Sequence, residues 1–203
     1  LPKISDLNKI DWKKVDLLYL SLPNGSAQKI TKKLFKYTHL KFIDLSADFR
    51  IENAIEYKKW YSLNHSAKNL IKKSIYSIPE FNKNKIKNYR IIANPGCYPT
   101  TIQLALIPLI KKSLIDTSSI IIDSKSGYSG AGKNYKSKFN YKNIESSVSV
   151  YGIEKHRHMS ELDQQFKKIL KKKIEYCFNP HLLPMFRGIL SSIYLKTKKN
   201  IGI

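Results

Sequence analysis

Short apolar runs alternate with polar, helix-forming stretches through the first half of the chain. The runs Val15 to Leu20, Leu40 to Leu45 and Arg90 to Ala93 each have the length of a buried strand. Between the first two, the segment from Ser26 to Tyr37 spaces its apolar residues four apart, as an amphipathic helix does. Buried strands joined by helices are typical of a parallel sheet, so the pattern predicts an α/β fold for this half.

The section from Asn53 to Lys87 is mixed, without a regular apolar period. It predicts a helix from Ala54 to Trp60, followed by a polar loop around "IPEFNKN" at residues 78–84.

After a helix predicted from Ile102 to Ile110, short strand-like runs become more frequent in the sequence. One clear helix follows, "SELDQQFKKIL" at residues 160–170, where Ser160 and Asp163 offer a capping pair. The remaining apolar runs predict a strand-rich α+β domain that begins close to Cys97. These strands are expected at residues 119–123, 147–153, 174–178 and 188–195.

A formal net charge of +22 raises the question of a nucleic-acid partner, because a basic surface is the electrostatic footprint of phosphate binding. Only four of the 37 basic residues are arginines, however, and the lysines are scattered as pairs and triples. Asn and Ile are also plentiful, which indicates a coding bias and a solvated lysine surface. We therefore expect no nucleic-acid partner.

Three further features bear on the compartment. The chain contains no apolar run near the length of a membrane span, and its first residues do not resemble a signal peptide. Two cysteines in 203 residues do not make a disulfide framework. The sequence therefore predicts a reduced, cytoplasmic protein with no membrane partner.

Cys97 lies in the turn "NPGCYPT", between a short strand and a helix expected to begin near Pro99. A thiol there would face the open N–H groups and the positive dipole end of the helix, which favour thiolate over thiol. Gly96 allows a tight turn, and Asn94 could brace it or donate to a developing oxyanion. Nucleophilic chemistry at Cys97 is the favoured hypothesis. A half-buried structural thiol is the alternative, and it suits Cys177 better.

The segment "KHRHMSELD" carries a second set of chemical groups. His156 and His158 alternate in a stretch predicted to be extended, and Glu161 falls in the first turn of the next helix. An imidazole could exchange protons with a thiolate while a carboxylate fixes its tautomer. The alternative is a pair of surface histidines, with Glu161 complementing the helix dipole. His-x-His with a cysteine could also hold a metal, but the chain offers no paired cysteines, so we expect none.

Two weaker signals concern anions. The glycine-rich "SKSGYSGAGK" (124–133) could form a loop whose N–H groups cradle a phosphate. In a lysine-rich chain, arginine marks positions that need a bidentate donor, and Arg50, Arg157 and Arg187 each fall within a motif. They are candidates to hold a phosphate or carboxylate.

Six motifs in order along the chain resemble the N-acetyl-γ-glutamyl-phosphate reductase family, NADPH-dependent enzymes of arginine biosynthesis. The six are "LPNG" (22–25), "IDLSADFR" (43–50), "NPGCYPT" (94–100), "SGYSGAG" (126–132), "HRHMSE" (156–161) and "PHLLPMFRGIL" (180–190).

The resemblance implies that Cys97 is the nucleophile and His158 its acid–base partner, supported by His156 and Glu161. It also implies NADP(H) as cofactor and an acyl phosphate as substrate. The expected domains are a partial Rossmann-like NAD(P)-binding domain over residues 1–96 and an α+β catalytic and dimerisation domain over 97–203, in a homo-oligomer (dimer or tetramer). By the same resemblance, the cofactor contacts are Leu22, Pro23, Ser126, Gly127 and Gly130, and the substrate contacts are Asn94, Arg50, Arg157 and Arg187.

The family's glycine-rich dinucleotide fingerprint and its C-terminal segment are both missing, which implies an internal fragment. The implied reaction passes through a thioester on Cys97 and yields an aldehyde. N-acetyl-aminoadipyl phosphate, one methylene longer, is an alternative substrate. Aspartate-semialdehyde dehydrogenase is a more distant alternative, against which the "HRH" pattern argues.

Overall fold

The chain divides into two units, Leu1–Pro95 and Gly96–Ile203. The computed structural model describes residues 4–132 and 146–198. Each unit has its own four-stranded sheet and its own apolar core.

The first unit is built on a parallel sheet with the strand order β1-β2-β4-β3. Its strands are β1 (Leu17–Leu20), β2 (Lys41–Asp44), β3 (Ser74–Tyr76) and β4 (Ile91–Ala93). Its helices are α1 (Ser26–Leu34), α2 (Ala54–Tyr61), α3 (Lys68–Ile71) and α4 (Pro79–Ile86). Short 3₁₀ turns at Leu7–Lys9 and Trp12–Lys14 precede β1.

Local sequence accounts for much of this unit. Helix α1 buries Ala27, Thr31 and Leu34, which share one face because helical residues three and four apart are neighbours. Gly25 precedes the helix with φ +89°, a conformation that favours glycine. Strand β1 lies at the edge of the sheet and leaves Tyr19 exposed.

The prediction of a loop at residues 78–84 is wrong, because residues 79–84 belong to helix α4. Pro79 stands at the first position of this helix, where its missing N–H costs nothing. The polar sequence that follows has no strong apolar stripe, which is why it resembled a loop. Helix α3 and strand β3 were not predicted either.

The second unit is built on a mixed sheet with the strand order β6-β7-β5-β8. Strands β5 and β7 are parallel, whereas β8 and β6 run antiparallel to their neighbours. The strands are β5 (Ile115–Gly127), β6 (Ser149–Val150), β7 (Tyr176–Leu183) and β8 (Ile189–Thr197). The helices are α5 (Cys97–Lys111) and α6 (Met159–Leu170).

The core of this unit joins both helices to the sheet. Helix α5 contributes Tyr98, Ile102, Leu106 and Ile110, a stripe with a spacing of four, and Phe166 of α6 packs into the same cluster. The predicted fold class, α/β with a second α+β part, is confirmed.

Helix starts, the capping pair and the ends of the strands in the second unit differ from the sequence prediction. Helix α5 begins at Cys97 rather than near Pro99. Ser160 lies inside α6, whose N-cap residue is His158, so the predicted capping pair is wrong. Strand β5 runs on to Gly127, so the first four of the ten residues in the expected glycine-rich loop are strand. Lys133, which ends that motif, lies outside the described residues.

Within residues 4–132 and 146–198, no helix is both long enough and apolar enough to cross a bilayer.

Candidate active site

Cys97 is the first residue of the fifteen-residue helix α5, and its thiol is exposed. The helical period explains this, because the buried stripe that starts at Tyr98 turns Cys97 away from the core. The first turn is closed by Thr100, whose N–H and hydroxyl both donate to the carbonyl of Gly96. A thiol at this position faces the helix dipole end that stabilises a thiolate.

Glu161 connects helices α5 and α6 at their N-termini. Its carboxylate is fully buried and accepts the Gly96 N–H at 2.9 Å (Oε2). Gly96 is the N-cap residue of α5, and Glu161 lies in the first turn of α6. One buried, charge-assisted hydrogen bond therefore fixes the backbone directly before Cys97.

His158 approaches the same backbone closely. A Cβ atom added to Gly96 would lie 2.7 Å from Cδ2 of His158 and 2.9 Å from Oε1 of Glu161. Because Gly96 has φ −65°, it is needed here for space and not for a left-handed conformation. Within residues 4–132 and 146–198, no group of three or more His, Cys, Asp or Glu side chains is placed to hold a metal ion.

His156 is half-buried among aromatic rings. Its ring centroid lies 4.8 Å from that of His158 and 5.5 Å from those of Tyr98, Tyr151 and Phe178. Burial, with the neighbouring Arg157 cation, lowers the pKa of His156 to about 4. The ring is therefore neutral near pH 7.

The hydrogen bond of His156 fixes its tautomer. Nδ1 accepts the backbone N–H of His158 at 3.2 Å, so the proton of the neutral ring is on Nε2. The predicted extended segment is wrong, because His158 has helical dihedral angles (φ −64°, ψ −17°). A turn lets His156 hold the backbone of His158, which an extended chain would not allow.

Tyr98 and Tyr151 were missed by the sequence reasoning. The two hydroxyls lie 2.9 Å apart, and Tyr98 donates to the carbonyl of His181 at 3.2 Å. Since Tyr98 has one proton, Tyr151 donates to Tyr98. Burial raises the pKa of both phenols, so both stay protonated near pH 7. The signal for Tyr98 was present in its spacing of four from Ile102.

The glycine-rich segment offers fewer anion donors than expected. The N–H groups of Gly127, Tyr128 and Ser129 donate to carbonyls of residues 188, 185 and 186. Ser126 is buried in β5, and Gly130 lies in a 3₁₀ turn, Tyr128–Ala131. A phosphate cradle built from these three N–H groups is therefore excluded. Contact of Ser126, Gly127 and Gly130 with a cofactor stays a prediction.

The arginines occupy different environments. Arg157 and Arg187 are exposed, and the guanidinium of Arg187 lies over the ring of Phe186. In the first unit, Arg50 is nearly buried and donates to the carbonyls of Asn94 and Leu45. The substrate contacts of all three arginines stay predictions.

Asn94 and the turn after β1 complete the predicted residues of the first unit. Asn94 is exposed, and its amide donates to the carbonyl of Pro95, as a bracing residue would. Leu22 is half-buried and Pro23 is exposed, directly after β1. This is the carboxyl end of a parallel strand, where open α/β sheets bind nucleotides.

Comparison with known proteins identifies the family of both units. Residues 97–202 match the semialdehyde dehydrogenase dimerisation domain, and residues 2–89 match the NAD-binding domain of the same enzymes. A probable chloroplastic N-acetyl-gamma-glutamyl-phosphate reductase of Arabidopsis thaliana is 45% identical over 196 residues, covering 97% of this chain and 48% of the relative. The N-acetyl-gamma-glutamyl-phosphate reductase of Clostridium botulinum (strain Eklund 17B / Type B) is 45% identical over 190 residues, covering 94% and 55%.

A solved structure agrees on the fold. Aspartate semialdehyde dehydrogenase II of Vibrio cholerae superposes with a TM-score of 0.66 at 18% identity, covering 97% of this chain and 60% of that protein. The chain spans about half the length of the curated relatives it matches. The resemblance inferred from the six motifs is confirmed, and the chain belongs to the semialdehyde dehydrogenase family.

Proposed function

We propose that the protein takes part in the NADPH-dependent reduction of N-acetyl-γ-glutamyl phosphate to N-acetylglutamate 5-semialdehyde and phosphate. One observation supports this most strongly. The exposed thiol of Cys97 stands at a helix N-terminus whose cap residue contacts both Glu161 and the turn that carries His158. The relatives named above carry the same activity in their names.

In the first step, the thiolate of Cys97 attacks the carbonyl carbon of the acyl phosphate. The bond between that carbon and the phosphate oxygen breaks, phosphate leaves with the electron pair, and a thioester forms on Cys97. The N-terminus of α5 supports this step because its N–H groups stabilise negative charge on the sulfur before attack. Glu161 keeps that N-terminus in place through the Gly96 N–H.

NADPH, when bound, supplies the hydride that reduces the thioester carbonyl. Two features of the first unit fit such a cofactor: a parallel sheet, and the exposed Pro23 at the carboxyl end of β1. Leu22 and Pro23 would contact it. Helix α1 would not hold its pyrophosphate, because Asp48 already accepts the N–H groups of Gly25 and Gln28.

After reduction, the carbon–sulfur bond breaks, the aldehyde leaves and the Cys97 thiolate is restored. The overall reaction consumes one proton, which ends on the released phosphate. We assign its transfer to His158, which would donate it to the phosphate oxygen as the bond to the acyl carbon breaks. His156 is neutral and bonded to the His158 backbone, so its proposed part is to hold the turn. Arg157 and Arg187, both exposed, are proposed to bind the phosphate or carboxylate of the substrate.

We also propose a homo-oligomer, a dimer or tetramer, formed through the second unit. Its sheet exposes Ile121, Leu190 and Tyr194, an apolar surface suited to a second copy of the chain. The cytoplasm stays the proposed compartment, although the Arabidopsis relative is named as chloroplastic.

The proposed chemistry is tested by Cys97→Ser in the full-length protein. Serine keeps the shape of the site but is a far weaker nucleophile, so acyl-phosphate reduction should fall below about a hundredth of the wild-type rate. The matched control is Cys177→Ser, which changes the other exposed thiol and should keep full activity. A Cys97→Ser enzyme that retained most of its rate would exclude Cys97 as the nucleophile.

A further inference from the structure

We infer that the buried segment Ser46–Arg50 positions two loops of the first unit at once: residues 22–25, through Asp48, and the exit of β4 toward Cys97, through Arg50. The inference rests on the proposed function, because it treats the first loop as a cofactor contact and the second as the approach to the nucleophile. The contacts themselves all lie within residues 20–94.

Asp44, the last residue of β2, folds this segment. Its fully buried carboxylate accepts the N–H and hydroxyl of Ser46 on one oxygen, and the N–H of Phe49 at 3.1 Å on the other. These bonds bend the chain sharply after β2. The contacts of Asp48 with Gly25 and of Arg50 with Asn94 then place the segment beside the chain that follows β1 and β4.

Asp48 lies fully buried in that bend and holds the turn after β1. Its carboxylate accepts the N–H of Gly25 at 2.7 Å and the N–H of Gln28 at 3.0 Å. These are N–H groups at the start of α1, which otherwise lack acceptors in a helix. The carboxylate therefore caps α1 from a distant part of the chain and fixes the "LPNG" turn.

Further contacts hold Asp48 itself. The hydroxyl of Tyr57 donates to the carboxylate at 2.7 Å, and Nε2 of His65 lies 2.7 Å from the Asp48 carbonyl. Nδ1 of His65 accepts the N–H of Ala67, so Nε2 carries the proton and donates. Asp48 is thus held through both its side chain and its backbone, which suits a rigid positioning role.

Arg50 acts on the other loop. Its Nε donates to the carbonyl of Asn94 at 2.8 Å, and an Nη donates to the carbonyl of Leu45 at 3.0 Å. Leu45 follows β2 and Asn94 follows β4, so the guanidinium ties together the exits of two adjacent strands. Asn94 stands three residues before Cys97 in the chain. A side chain that is 8% exposed and bonded to these two carbonyls is well placed to position both strand exits. Its expected substrate contact stays a separate prediction.

The test compares Asp48→Asn with Arg50→Lys in the full-length protein, with Glu52→Gln as an exposed control from the adjoining chain. Asparagine cannot accept all the bonds of Asp48, so exchange of the Gly25 and Gln28 amide hydrogens should rise about tenfold, and the Kd for NADPH should rise similarly. Lysine cannot bridge two carbonyls with a planar fork. Arg50→Lys should therefore speed exchange at Asn94 and lower kcat about tenfold, with the Kd for NADPH unchanged.

A residue that only stabilised the fold would affect both loops together. Separate effects, on the Kd for NADPH in Asp48→Asn and on kcat in Arg50→Lys, therefore indicate positioning. If each variant loosened both loops equally, or left its own loop unchanged, the inference would be overturned. Should Asp48→Asn fail to fold, Tyr57→Phe removes one donor to the same carboxylate and should give a smaller change at Gly25 and Gln28 only. If the exchange pattern appears but the wild-type protein neither binds NADPH nor turns over, the positioning stands and the proposed function fails.

Discussion

Gly96 occupies a position where no side chain fits. An added methyl group would meet His158 and Glu161, the two residues that the site brings against the start of α5. Nothing in the local sequence required this, because Gly96 and Glu161 are 65 residues apart. The motif "NPGC" predicted a tight turn, whereas the structural reason for glycine is close packing.

Gly96→Ala should therefore disturb Cys97 specifically. Overpacking of this kind costs about 1–3 kcal/mol, and the displaced cap should slow alkylation of Cys97 by iodoacetamide about tenfold. Cys177, which is also exposed, serves as internal control when both cysteines are followed by peptide mass spectrometry.

The control variant for this prediction is Gly132→Ala. A Cβ atom at Gly132 would meet no atom within 4 Å, although φ +84° with ψ −175° makes any substitution there cost about 1–3 kcal/mol. Cys97 should keep its alkylation rate in that variant. Equal rates in wild type and Gly96→Ala would contradict the packing argument.

His156 predicts a pH dependence of stability. An unfolded histidine binds a proton near pH 6.5, whereas folded His156 binds one only near pH 4. Between these values the unfolded state binds more protons, so stability is intact above pH 6.5 and is lost as the pH falls toward 4. The loss should be about 2 kcal/mol, allowing for the partial exposure of the ring.

His156→Gln removes this group and should flatten the curve. Urea unfolding at pH 7 and pH 4.5 gives the slope for each protein, and buried His65 contributes the same sign to both. The difference between the wild-type and variant changes in unfolding free energy with pH gives the contribution of His156. If the two proteins lost the same stability on acidification, His156 would not be the buried neutral ring described here.

Helix α5 both fills the core of the second unit and presents Cys97 at its exposed start. Tyr98, Ile102, Leu106 and Ile110 fill the core, while the first residue, Cys97, faces outward. The stripe was readable in the sequence, and it fixes the direction of the thiol. Packing of this helix thus determines which residue at its start can react.

A pair of leucines on α5 tests this packing. Leu106 is fully buried and Leu104 is 40% exposed. Leu106→Ala should lower the free energy of unfolding by about 2–5 kcal/mol, because it leaves a cavity. Leu104→Ala should cost less than about 1 kcal/mol. Thermal or urea unfolding compares them, and equal losses would show that the assigned helix face is wrong.

The elements that sequence could not predict have identifiable reasons. Strands β1, β2 and β4 are apolar runs and were found, whereas α4 is polar and lacked a period. Strand β5 was predicted too short at both ends, because Asp116 to Ser118 and Ser124 to Ser126 are polar. Their place in the sheet depends on pairing with residues of β7 and β8, which local pattern does not reveal.

At the scale of the whole molecule, the chain carries a net charge of +22 and yet matches a family of small-molecule enzymes. Its motifs predicted that family, because they place reactive residue types in order over nearly the entire chain. They could not predict the contacts that hold these residues. Gly96 with Glu161, and Asp48 with Gly25, are joined only by the fold.

Cys97 is proposed to form a covalent acyl intermediate, and acylation in the absence of reductant isolates that step. The full-length protein is mixed with N-acetyl-γ-glutamyl phosphate in the absence of NADPH, and its peptides are then weighed by mass spectrometry. We expect an N-acetylglutamyl group on the Cys97 peptide, removable by hydroxylamine and absent from Cys97→Ser. An acyl group on Cys177 instead, or no acylation by an enzyme that still reduces the substrate, would contradict it.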